Sequence, residues 1–240
     1  LRELTRNTYT RANPVCKPSF TNILRHCPTF KMKNTAKYFL LTAAFCVTSF
    51  SQVPTVTAIQ ILKAEDARRY DAVLDGFLNS ANPDVRTRAA LAAGRIGDDK
   101  AIPALAALLE KDHSEKVRAM AAFAIGEIES VKGSDAIVKL LKDATAPGAT
   151  QSRAVEAAGK IAAANPKDAK SKELGNAILE TIGSEDVNGM KPGRDTVLLG
   201  ITAVLRARPA KGDVIVARYL KSTDARIRAA RRCRGRGVRP

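Results

Sequence analysis

The chain has 240 residues, 45% hydrophobic and only 5% aromatic, with 40 basic against 24 acidic side chains and a formal net charge of +16. A balance that basic suggests a nucleic-acid or anionic-membrane partner, but the excess sits at the ends: residues 52–230 hold 27 basic and 23 acidic residues. The body is therefore a mixed-charge surface, which excludes nucleic acid as its expected ligand and leaves no strong electrostatic partner written into it.

In chain order, residues 1–31 open on Leu1 and carry six basic residues against one acidic. The first methionine is Met32, and from there MKNTAKYFLLTAAFCVTSFSQ reads as an export signal. Lys33 and Lys37 form its positive start, Tyr38 to Val47 its apolar stretch, and Ser49 and Ser51 the small residues before a cut. About ten apolar residues are too few to span roughly 30 Å of hydrocarbon, so stable membrane insertion is not expected. The expectation is that residues 1–31 are in-frame upstream translation, that 32–51 are removed, and that the protein acts in the periplasm or outside the cell from Gln52 onward. Cys16, Cys27 and Cys46 precede this point and Cys233 lies near the end, so the body has no cysteine and no disulfide.

Residues 61–80, ILKAEDARRYDAVLDGFLNS, form a degenerate leading unit. The first clear helix follows: Val85, Ala89, Ala92 and Ile96 are spaced 4, 3 and 4, one face of an α-helix. Asn82 is its expected N-cap, with Pro83 at the first helical position. Asp98 or Asp99 is expected to cap a second helix, with Pro103 in its first turn and Leu105, Leu108 and Leu109 facing inward.

The pair then repeats. Val85, Ala89, Ala90, Ala92, Gly94 and Ile96 fall 32 positions before Val117, Ala121, Ala122, Ala124, Gly126 and Ile128. Ser114 takes the cap position of this second unit. A third copy stands at an offset of 33, with Ala154, Val155, Ala157, Gly159 and Ile161. Glycine inside a helix costs about 0.5–1 kcal/mol relative to alanine. Its recurrence at 94, 126 and 159 predicts a close approach, either to the unit's own second helix or to the next unit. Arg86 and Arg118 recur beside Val85 and Val117, and an inter-repeat contact with carboxylates such as Asp84 is the expected role. Residues 183–195, GSEDVNGMKPGRD, depart from the repeat and are expected to be an exposed loop.

A looser fourth unit holds Val197, Leu198, Ile201, Ala203 and Leu205. A fifth opens with DARIRAA at 224–230, which matches DVRTRAA at 84–90 and places its cap at Ser222. Residues 231–240, RRCRGRGVRP, supply Arg and Gly where the pattern calls for a helix, and are expected to be a frameshifted or truncated tail. The expected fold is all-α, a right-handed α-solenoid of helix pairs over residues 52–230, with a core of Ala, Leu, Ile and Val.

The pattern D-V-R-x-R-A-A-x-A-x-G-x-I-G-D followed by A-I-P-x-L-x-x-L-L resembles the HEAT-like repeats first described in phycobilisome lyases. The resemblance covers about residues 80–230 and implies a protein-binding solenoid. The leading unit, set between an export signal and the array, resembles the start of secreted bacterial proteins in which such repeats precede a cyclophilin-type peptidyl-prolyl isomerase domain. That implies an alternative in which this chain is the repeat region of a longer isomerase.

Catalysis finds little support in the body. His113 is its one histidine, so a multi-histidine metal site of the kind some HEAT-like enzymes build from His-Glu pairs cannot form, and no cysteine is present as nucleophile. Gly94-Arg95-Ile96-Gly97 lacks the spacing that cradles phosphate. No catalytic residue, metal or cofactor is expected, and a scaffold for a protein partner is the expected function. Lys139, Lys142, Arg218 and Lys221, on second helices expected to line the concave side, are the candidate contact residues.

Overall fold

The computed structural model describes residues 52–183 and 193–232. The described residues belong to one unit of the chain. The expected upstream segment 1–31, the export signal, residues 184–192 of the expected loop and the tail beyond Arg232 lie outside them.

Eleven α-helices account for the described array: α1 (Thr55–Asp66), α2 (Ala72–Leu78), α3 (Pro83–Ile96), α4 (Ile102–Lys111), α5 (Glu115–Ile128), α6 (Ser134–Lys142), α7 (Gly148–Ala164), α8 (Ala169–Gly183), α9 (Arg194–Ala207), α10 (Gly212–Arg218) and α11 (Ala225–Arg232). No strand occurs among the described residues. The helices form two rows. The odd-numbered first helices pack each on the next, α1 to α11, and the even-numbered helices, α2 to α10, run alongside as a second row. This is the all-α solenoid of helix pairs that the periodicity implies.

Local chemistry sets where each unit begins. Asn82 caps α3 with its side chain accepting from Asp84 N–H at 2.8 Å, and Pro83 follows at N1. Gly97 closes α3 in the left-handed conformation at φ 77°. Asp98 then accepts from Lys100 N–H at 2.9 Å and starts a 3₁₀ turn, Asp99–Ala101, from which α4 continues. Ser114 occupies the cap position of α5 without a side-chain cap bond. Ser114 N–H donates instead to Asp112 Oδ1 at 2.8 Å.

Helix starts at 83, 115, 148, 194 and 225 fix the register of the five units. Two positions later come Val85, Val117, Thr150, Thr196 and Ile227, every one of them buried. That register corrects the sequence match of the fifth unit by two residues. Asp224, not Ser222, is the cap of α11, accepting from Arg226 N–H at 2.8 Å and Ile227 N–H at 3.4 Å. The shift buries Ile227 where letter-for-letter alignment would bury Ala225. It also sets Arg228, not Arg226, opposite Arg86. Arg228 donates to Ser222 O and Thr223 O as Arg86 donates to Ser80 O and Ala81 O.

The glycines face the next unit's first helix. A Cβ on Gly94 would lie 2.7 Å from Ala124 Cα, one on Gly126 2.6 Å from Ala157 Cα, and one on Gly159 2.6 Å from Ala203 Cα. Backbone meets backbone at each step, which explains why glycine is kept despite its helix cost. Leu205 takes the equivalent place in α9, so the series stops there.

Thr150 carries a defect in this core. It stands in the position of Val85 and Val117, is fully buried, and its hydroxyl has no hydrogen-bond partner among the described residues. A buried unmade hydrogen bond costs about 1–3 kcal/mol. Thr150→Val, which keeps the shape and removes the hydroxyl, is expected to stabilise the fold by about 1 kcal/mol. The urea midpoint measures it, and an unchanged or lower midpoint refutes it.

Candidate protein-binding groove

Successive units are tied by ion pairs that run from an acid on one to a base on the next. Asp84 meets Lys116 at 2.7 Å, Asp99 meets Lys132 at 2.9 Å, and Glu127 meets Lys160 at 2.5 Å. Asp135 pairs with Lys170 and Glu110 with Lys139. Most of these are exposed, so solvent and salt screen them and each adds little. One pair differs. Arg86 grips Asp112 through both nitrogens, Nε to Oδ2 at 2.7 Å and Nη2 to Oδ1 at 2.9 Å, with the Asp112 side chain 4% exposed. The carboxylate partner of Arg86 is therefore Asp112, and Asp84, the expected one, is joined to Lys116. Burial pushes the Asp112 carboxyl up, but the Arg86 guanidinium and the Ser114 N–H outweigh it and hold it below its ordinary value.

The four candidate contact residues fall in two places. Lys139 and Lys142 share the last turn of α6, both exposed; Lys142 Nζ lies 4.0 Å from Glu173 on α8. Arg218 ends α10 and Lys221 ends the 3₁₀ turn after it, both exposed, with α8 between them and α6. Of the four, Lys139 lines the groove between α4 and α6.

That cavity, about 460 Å³, is an open groove bounded by α4, α6 and the connection to α7. Ala106, Leu109, Ala136 and Leu140 give it an apolar floor, and Ala146 and Pro147 an apolar end. Glu110, Lys139, Asp143 and Arg118 supply the charge. Glu110 is held below the usual carboxylate range by Lys139, and Asp143 by the Thr145 hydroxyl and N–H, at 2.6 and 2.8 Å. Arg118, for which the repeat implies only an inter-repeat contact, faces this groove. No repeat position signals that role, because part of the groove's lining, Asp143 and Thr145 to Pro147, lies in the α6–α7 connection outside the repeat.

Among the described residues no group of three or more His, Cys, Asp or Glu is placed to hold a metal ion. No helix among them is long and apolar enough to cross a membrane.

No curated protein matches the chain. The family model for HEAT repeats matches three times in overlapping register, at residues 48–119, 70–159 and 103–174, which together cover more than half of the sequence. With helix pairs stacked first helix on first helix through this same span, the chain belongs to the HEAT-repeat family.

Proposed function

We propose that the array is a non-catalytic scaffold that binds a protein partner through the even-numbered helices. The observation that carries it is the groove between α4 and α6, where an apolar floor of Ala and Leu is rimmed by charge. An open groove between helices suits an extended polypeptide, whereas a small metabolite is usually buried in an enclosed pocket. A photo-crosslinking side chain at Leu140, inside the groove, is expected to give a discrete protein adduct in cell extract, while one at the exposed Lys167 gives none. Equal adducts from both positions, or none from Leu140, overturn the proposal.

Export rests on the sequence of residues 32–51: two lysines, an apolar stretch and small residues before Gln52. We propose a periplasmic or extracellular site of action on that ground. N-terminal sequencing of protein from its native cells is expected to begin at Gln52, and retention of Met32 refutes it. The alternative, an array that precedes a cyclophilin-type isomerase domain in a longer parent, is supported by the resemblance of residues 61–80. Sequencing the parent gene tests it.

A further inference from the structure

The repeat supplies an internal comparison at the groove. Arg86 and Arg118 occupy the same position in α3 and α5, and each donates through Nη1 to a carbonyl six residues back, Ser80 O and Asp112 O, both at 2.7 Å. Asp112 and Asp143 are likewise equivalent. Each begins the connection to the next first helix, and each accepts through Oδ1 from the N–H two residues on, at 2.8 Å. In the first case the two side chains meet, and the guanidinium holds the carboxylate by two bonds. In the second they do not. Asp143 also accepts from the Thr145 hydroxyl, and the connection to α7, residues 143–147, is two residues longer than residues 112–114.

Among the described residues Arg118 has no carboxylate within ion-pair distance, and only the bond to Asp112 O engages it. The groove is lined by Arg118 and Asp143 together. Its other charges are already committed: Lys139 to Glu110, and Asp143 to Thr145. Arg118 is thus the one groove charge whose fork is left for a ligand. A guanidinium fork matches a carboxylate in two parallel hydrogen bonds, and such charge-assisted pairs are about twice as strong as neutral ones.

We propose that the groove takes an acidic side chain, a glutamate or aspartate of an extended partner segment, on Arg118, with apolar flanking residues on Leu109 and Leu140. The carboxylate occupies the place on Arg118 that Asp112 occupies on Arg86. This proposal rests on the scaffold reading and narrows it to one residue and one ligand chemistry.

The test uses the full chain and the Arg Nε–H signals in NMR, titrated with acetyl-Leu-Glu-Leu-amide, with the Gln counterpart, and with acetate and inorganic phosphate alone. The Glu peptide is expected to shift the Arg118 signal saturably, and the Gln peptide to bind at least about tenfold more weakly. Arg118→Gln should abolish the preference for the Glu over the Gln peptide, read by calorimetry. Ala106→Glu, which places a carboxylate in the groove wall and removes no native bond, should weaken it if Arg118→Gln does not fold. Lys167→Gln, at an exposed position outside the groove, should leave it unchanged.

Equal binding of Glu and Gln peptides, no saturable shift, or equal response to acetate or phosphate alone overturns the proposal. The crosslink from Leu140 in the unaltered chain reports separately on the scaffold. A Leu140 adduct with no preference for Glu removes the acid-reading role and leaves the scaffold standing.

Discussion

Replacing Arg86 with alanine is expected to destabilise the array by about 3 kcal/mol, the largest effect of any single charged residue. The substitution removes both bonds to Asp112 and two to the Ser80 and Ala81 carbonyls, and leaves a carboxylate only 4% exposed without its cation. A charge stranded in that way costs more than the pair itself contributes. Asp112→Ala should cost less, because Arg86 keeps its carbonyl partners and is itself more exposed. The double variant should cost clearly less than the two single ones added. Acid supplies a second readout. The Asp112 carboxyl is depressed in the folded state, so its contribution is complete above its ordinary value of 3.8 and is lost as pH falls through the lower folded value. The gap between native protein and Arg86→Ala should therefore narrow below about pH 4. A gap constant from pH 7 to pH 3 would show that the pair is not the cause.

Gly126→Ala is expected to cost about 2 kcal/mol, although alanine is the better helix former. The added methyl would lie 2.6 Å from Ala157 Cα and 2.8 Å from Ala157 Cβ. Overpacking costs about 1–3 kcal/mol, and backbone cannot rotate out of the way as a side chain can, so the upper end applies. About 1 kcal/mol returns as helix propensity. Gly76→Ala is the control. Gly76 lies in α2, where an added methyl would have nothing within 4 Å, and its replacement should gain about 0.5–1 kcal/mol. If both variants move the denaturation midpoint in the same direction, close approach does not explain the glycines.

The first helices of units one to three are legible in the sequence because their core positions follow the 3.6-residue period, and those at Val85, Ala89 and Ala92 are all buried. Helix and cap chemistry is local, so Asn82, Pro83 and Asp98 can be placed from their neighbours alone. The partner of Arg86 cannot. Asp84 is near in sequence, whereas Asp112 arrives 26 residues later and only through the stacking. The fifth unit misleads for the opposite reason. DARIRAA and DVRTRAA share more letters than physics, and the capping strength of Asp224 together with the burial of Ile227 sets a register that identity alone does not. The groove is illegible in a third way. Part of its lining, Asp143, Thr145, Ala146 and Pro147, lies in the connection between α6 and α7, which interrupts the repeat without leaving a motif. Position on α6 is enough to point to Lys139, while nothing in the repeat marks Arg118 as more than a structural residue.

The glycine series also bears on how such an array can lengthen. Helices α5 and α7 each carry both halves of the contact: Ala124 with Gly126, and Ala157 with Gly159. A gene segment encoding either pair of helices could be duplicated in tandem, and the new copy would present a receiving alanine to the unit before it and a glycine to the unit after it. No compensating substitution would be needed at the junction. A copy of the unit that holds α9 would not inherit this freedom, since Leu205 stands where the glycine should be. The history of the array is thus expected to be one of expansion from its middle, with the glycine and alanine of each junction from Gly94 to Ala203 held while the connections diverge.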